Sequence, residues 1–151
     1  MALRLARPKT GGLRVKARRV PALRYDAYDA VSQSAAEPDS RPWVTYDETM
    51  AQLPQARWMA AAIRRGQGRA SALQVNDVEA AQEAVAAELG RSLLPCLVAD
   101  QDPRLRRLVG SEDRETRVRE LWLLVHSELS DLPRIQAVAD WVGEIFRDGP
   151  R

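Results

Sequence analysis

One cysteine and one histidine are all that 151 residues contain of those two types. With Cys96 alone, no internal disulfide can form, and one Cys with one His cannot close a tetrahedral zinc site unaided. No metal site is therefore expected. No stretch approaches the ~18 consecutive apolar residues that a membrane span needs, so no membrane partner is expected either. Catalytic signatures are missing as well: there is no Gly-x-Ser-x-Gly elbow, no Gly-x-Gly-x-x-Gly turn and no Walker-type phosphate loop. His126 follows an apolar run and reads as a strand-end residue rather than a general base. Cys96 follows Pro95 without a basic neighbour and reads as a buried, inert thiol. The sequence therefore predicts no enzyme activity, no catalytic residues and no cofactor. A chain with one thiol suits the reducing cytosol, and a cytoplasmic location is expected.

What is present is ordinary for one folded domain: 45% hydrophobic and 29% charged residues, which excludes disorder and low-complexity sequence. The net charge of +2 hides an uneven distribution. Residues 1–25 carry eight Lys or Arg and no acid, whereas the remainder holds 15 basic and 21 acidic residues. A basic opening suggests a nucleic-acid arm or a targeting segment. However, Pro8, Gly11 and Gly12 interrupt any transit helix, and Met1–Thr10 has no apolar core for a signal peptide. Leu13, Val15 and Ala17 alternate with Arg14, Lys16 and Arg18 at the period of a half-buried strand. The charges then read as its solvated face.

Along the chain, Ala2–Leu5 reads as a short strand, followed by an extended segment from about Leu13 past Pro21 towards Tyr28. Ser32–Ser40 is a loop by composition, and Trp43–Tyr46 is strand-like. Gln55–Arg65 reads as a helix, with Met59, Ala62 and Ile63 as its apolar stripe and Gly66 as its stop. Ser71, Leu73 and Val75 alternate as a strand. Asn76 or Asp77 can then cap a helix carrying Val78, Ala81, Val85 and Leu89 at helical spacing, with Gly90 as its stop. Arg91–Leu94 follows as a strand, completing a strand–helix–strand unit of a parallel sheet. Leu105–Val109 is extended and Ser111–Arg119 is a polar loop. Leu121–Val125 is apolar without alternation, as a strand covered on both faces would be. Ile135, Val138, Ala139, Val142, Ile145 and Phe146 form one stripe of a closing helix.

In open parallel sheets, ligands sit beyond the C-terminal ends of strands, where helix N-termini point free N–H groups. Asn76 and Asp77 occupy such a joint, and Arg4 and Arg7, ending the first strand, supply cations for a similar crevice. That combination suits a small anionic organic molecule. Simple helix capping accounts equally for Asn76 and Asp77, and a solvated surface charge for Arg7.

Several segments together resemble the effector-binding half of LysR-type transcriptional regulators. Ala2-Leu3-Arg4-Leu5-Ala6-Arg7-Pro8 is similar to a strand that in this family usually follows an aspartate. Arg57-Trp58, Val75-Asn76-Asp77 and Leu89-Gly90-Arg91-Ser92-Leu93-Leu94-Pro95 fall in the family's order and spacing. So do Arg104-Leu105-Arg106-Arg107-Leu108, Glu120-Leu121-Trp122-Leu123-Leu124-Val125-His126 and the Pro133-Arg134 helix start. Glu88 departs from the pattern, because the family commonly has Gly there. The resemblance implies an α/β, periplasmic-binding-protein-like (type 2) fold of two subdomains. Residues 23–108 would form one, and residues 1–22 with 109–151 an incomplete other. It implies a small-molecule effector and association with itself or with a related regulator. The sequence contains no helix-turn-helix pattern, so no direct DNA binding is expected of this chain. Met1 falls where the family's strand begins, which implies an N-terminally truncated chain. Leu121–Val125 is then expected to lack its neighbouring strands. The rival readings are an extracytoplasmic solute-binding protein of the same fold, a non-functional gene fragment and an unrelated small α/β enzyme.

Overall fold

A computed structural model of the chain describes residues 1–5, 14–33, 41–108 and 117–147. Arg7, the Gly11-Gly12 turn and most of the loops expected at Ser32–Ser40 and Ser111–Arg119 lie outside these residues. The described elements run β1 (Ala2–Arg4), β2 (Val15–Ala30), β3 (Trp43–Tyr46), α1 (Pro54–Arg64), β4 (Ala70–Val75), α2 (Val78–Ala86), β5 (Ser92–Pro95), α3 (Cys96–Ala99), β6 (Leu105–Arg107), β7 (Val118–His126) and α4 (Pro133–Arg147). No helix among the described residues is long and apolar enough to cross a membrane. The chain divides into two compact units, Met1–Arg24 with Val118–Arg151, and Tyr25–Arg117.

In the first unit, β7 is hydrogen-bonded on both edges, antiparallel to β1 and to the first part of β2. The expected unpaired apolar strand is thus corrected. Ala2–Arg4 pairs with Trp122–Leu124 on one edge and the long β2 runs along the other, so the chain's own segments supply strands on both sides. The register sets Lys16 opposite Val125, Arg18 opposite Leu123 and Val20 opposite Leu121. Helix α4 covers this face, with Ile135, Ala139 and Phe146 against Val20, Leu121, Leu123 and Val125. Lys16 and Arg18 therefore share the helix side of β2, while Val15, expected inward, is exposed. The single stripe expected on α4 also divides. Ile135, Ala139 and Phe146 pack, whereas Val138 and Ile145 are exposed, as is Trp141, which the stripe did not include.

The second unit holds a five-strand arrangement, β4-β3-β5-β2-β6 in space. β3 is parallel to β4, and a parallel bridge between Trp43 and Arg91 joins it to the start of β5. The last part of β2 runs antiparallel to both β5 and β6. The expected strand–helix–strand unit exists, but β3 lies between its two strands rather than leaving them adjacent. Val44, Met59, Ala62, Val85, Leu93 and Leu94 are essentially inaccessible and form the core.

Both long helices of this unit end in Schellman motifs. In α1 the Gln67 N–H donates to Ala62 O and the Gly66 N–H to Ile63 O, with Gly66 at φ +80°. In α2 the Leu89 N–H donates to Ala84 O and the Glu88 N–H to Val85 O. There the left-handed position is Glu88, at φ +64°. The chain therefore leaves the helix before Leu89, which is exposed rather than on the apolar stripe. A side chain in this conformation costs roughly 1 kcal/mol that glycine does not. The Glu88 carboxylate meanwhile accepts from Ser32 Oγ at 2.5 Å and Gln33 Nε2 at 2.7 Å, both exposed bonds of small worth. Glu88→Gly is expected to raise unfolding stability by up to ~1 kcal/mol in urea. A loss of more than that amount would show that the Ser32 and Gln33 bonds outweigh the strain.

Candidate functional site

The C-terminal ends of the parallel strands β3 and β4 meet in the second unit. Tyr46 pairs with Val75 at these ends, and the Asp47 N–H donates to Val75 O at 2.9 Å. β4 leads straight into α2, whereas β3 leads first into a short 3-10 turn, Glu48–Met50, capped by Asp47, with α1 starting at Pro54. The two N-termini differ in one respect. At α2, Asp77 is the N-cap and its Oδ1 accepts from the Ala80 N–H at 2.7 Å. At α1 the N-cap is Leu53, which supplies no side-chain cap, and Pro54 opens the first turn. An anion thus meets a carboxylate already placed at α2, but no competing side-chain cap at α1.

Tyr25, Tyr46 and Gln55 are buried around these strand ends. Burial pushes the Tyr46 hydroxyl up to about 12; Tyr25 and Asp77 add to the shift and the Gln55 side chain opposes it. Tyr46 Oη therefore keeps its proton throughout the physiological range and can donate a hydrogen bond. Tyr46 Oη and Gln55 Oε1 are both buried, and the Gln55 side chain is itself a hydrogen-bonding neighbour of the Tyr46 hydroxyl, aligned too poorly to satisfy either atom fully.

Asn76 and Asp77 come together at the β4–α2 joint, both exposed, with Asp77 in its capping bond. Arg4 belongs to the first unit, where it stands opposite Trp122 on β7 and is exposed. Arg7 lies outside the described residues. Tyr25, Tyr46 and Gln55 were not singled out from the sequence. The strand-end rule applied to Trp43–Tyr46, as it was to Ser71–Val75, would have reached Tyr46. Nothing local marks Gln55, a polar residue buried on a helix's first turn. Among the described residues no group of three His, Cys, Asp or Glu could hold a metal, and Cys96 is buried.

Residues 17–147 match the family described as "LysR substrate binding domain". No curated protein matches the chain in sequence. Solved structures do resemble it. The regulatory domain of CrgA, a LysR-type transcriptional regulator from Neisseria meningitidis, matches at a TM-score of 0.62 and 16% identity, over 94% of this chain and 72% of that one. The Synechocystis PCC6803 CcmR regulatory domain, in complex with 2-PG, matches at 0.61 and 13%, over 99% and 74%. A Corynebacterium glutamicum OxyR mutant matches at 0.56 and 15%, over 91% of this chain and 46% of that one. The chain thus spans about half the length of this last relative. At these identities the likeness is one of fold: the mixed α/β, periplasmic-binding-protein-like fold of LysR regulatory domains.

Proposed function

Because this chain belongs to the LysR substrate-binding domain family, a family of non-enzymatic regulatory domains, we propose that it binds a small organic anion as the effector of a cytoplasmic transcriptional regulator. The observation that carries this reading is the convergence at the ends of β3 and β4. Two helix N-termini follow those strand ends, and two buried polar groups, the Tyr46 hydroxyl and the Gln55 side chain, meet there in a poorly aligned contact with each other. The effector's anionic group is proposed to use the uncapped first turn of α1 and the Asn76 amide. Its second polar group is proposed to pair with Tyr46 and Gln55. Asp77 is proposed to fix the α2 end beside the effector through its capping bond from the Ala80 N–H. The 2-PG complex of CcmR supports the choice of a small ligand, since it places one on a domain of this fold.

Calorimetry against aliphatic and aromatic carboxylates is the test. The expected result is binding by at least one member that a Tyr46→Phe, Asn76→Ala double variant weakens by roughly tenfold or more. Equal binding by the double variant would refute the placement.

A further inference from the structure

A cavity of about 310 Å³ opens in the first unit, between β2, β7 and α4. Its volume falls within the range of small-molecule sites. Leu123, Val125, Ile135 and Ala139 give it an apolar floor, and Lys16, Arg18, Ser130, Gln136 and Asp140 give it a polar rim. The rim charges are sorted by element. The two cations stand on β2, at alternate positions of one face. The acids stand on the other side: Asp140 on α4, and Asp131 just before that helix. Lys16 Nζ lies 3.3 Å from Asp131 Oδ1, and Arg18 Nη1 lies 2.9 Å from Asp140 Oδ1. Both pairs are exposed, with more than half of each side chain accessible. Exposed pairs of this kind are held weakly and exchange partners readily.

We propose that this cavity is a second ligand site, specific for a zwitterion with an apolar side chain, that is, an apolar α-amino acid or a short peptide ending in one. The side chain lies on Leu123, Val125, Ile135 and Ala139. The carboxylate takes Arg18, and the ammonium takes Asp140. Charge balance selects this class. A simple anion displaces Asp140 from Arg18 and strands that carboxylate beside its own charge, and a simple amine does the reverse. A zwitterion replaces the weak Arg18–Asp140 pair with one contact to each partner. The site lies wholly within the first unit, so it goes beyond the effector reading above and does not depend on it.

The test titrates the 151-residue chain with phenylalanine, 3-phenylpropanoate and phenethylamine. Heats of binding and the methyl signals of Leu123, Val125, Ile135 and Ala139 are followed. Phenylalanine is expected to shift those methyls and to bind about tenfold or more tightly than either analogue. Asp140→Lys, an exposed change that leaves the melting curve intact, is expected to weaken phenylalanine by a similar factor. Ala139→Leu is expected to block it by filling the floor. Equal shifts of those methyls by 3-phenylpropanoate, unshifted methyls with phenylalanine, or undiminished shifts in Asp140→Lys would each overturn the proposal.

Discussion

Gly90→Ala is expected to destabilise the second unit by roughly 3 kcal/mol, lowering its melting temperature by about 10 °C. Two independent causes act at this one position. The residue has φ +147°, a region that only glycine enters without strain. A Cβ there would also sit 2.4 Å from the Pro42 carbonyl oxygen, a backbone atom that cannot step aside. The close approach follows from how β3 meets β5. The Arg91 N–H donates to Pro42 O and the Val44 N–H to Arg91 O, both at 2.9 Å, so the chain at Gly90 is drawn against the start of β3. Thermal and urea unfolding of the variant measure the cost. A change below about 1 kcal/mol would mean that this crossing is looser than the hydrogen bonds require.

Asp26→Ala is expected to cost still more, roughly 3–5 kcal/mol. Asp26 Oδ1 lies 2.8 Å from Arg117 Nη1, and the two side chains are 7% and 1% exposed. The same oxygen accepts from the Ala27 N–H at 2.9 Å. The Arg117 guanidinium also lies over the Trp58 ring, 4.8 Å from its centroid. Removing the carboxylate takes away an anion 2.8 Å from a buried guanidinium, which burial makes expensive. Removing both charges while keeping their volume is a different experiment. The Asp26→Leu, Arg117→Met pair is expected to recover most of the loss, because two apolar side chains need no desolvation of charge. Urea denaturation of the three proteins separates these cases. A double variant as unstable as Asp26→Ala would show that packing, not charge burial, sets the cost.

Much of the fold was legible because local pattern and tertiary role agree. Trp43–Tyr46, the Gly66 stop of α1 and the capping at Asn76-Asp77 all stand as the sequence predicts, with Asp77 making the capping bond. What local pattern cannot carry is the order in which strands pair. Nothing within Ser71–Leu94 says that Trp43–Tyr46 will lie between β4 and β5. Nor does anything near Leu121 say that Ala2–Arg4, more than a hundred residues away, will close its edge. The alternation at Leu13–Arg18 failed for a related reason. Period-two spacing shows that two faces differ but not which one meets α4, and here it is the face with Lys16 and Arg18. At the candidate site, Asn76 and Asp77 were visible because capping residues at a strand–helix joint have a signature. Tyr46 and Gln55 become visible only when burial is known, since neither residue type is unusual in its segment.

The central claim, that the effector is held at the ends of β3 and β4, is tested most directly by amide chemical-shift mapping. The isotope-labelled 151-residue chain is titrated with the carboxylate that binds best in calorimetry. The account predicts the largest shifts at the amides of Tyr46, Gln55, Ala56 and Asn76, with smaller ones along the first turn of α2. Saturable binding whose largest shifts fall outside Tyr46–Arg57 and Val75–Ala81 would contradict it.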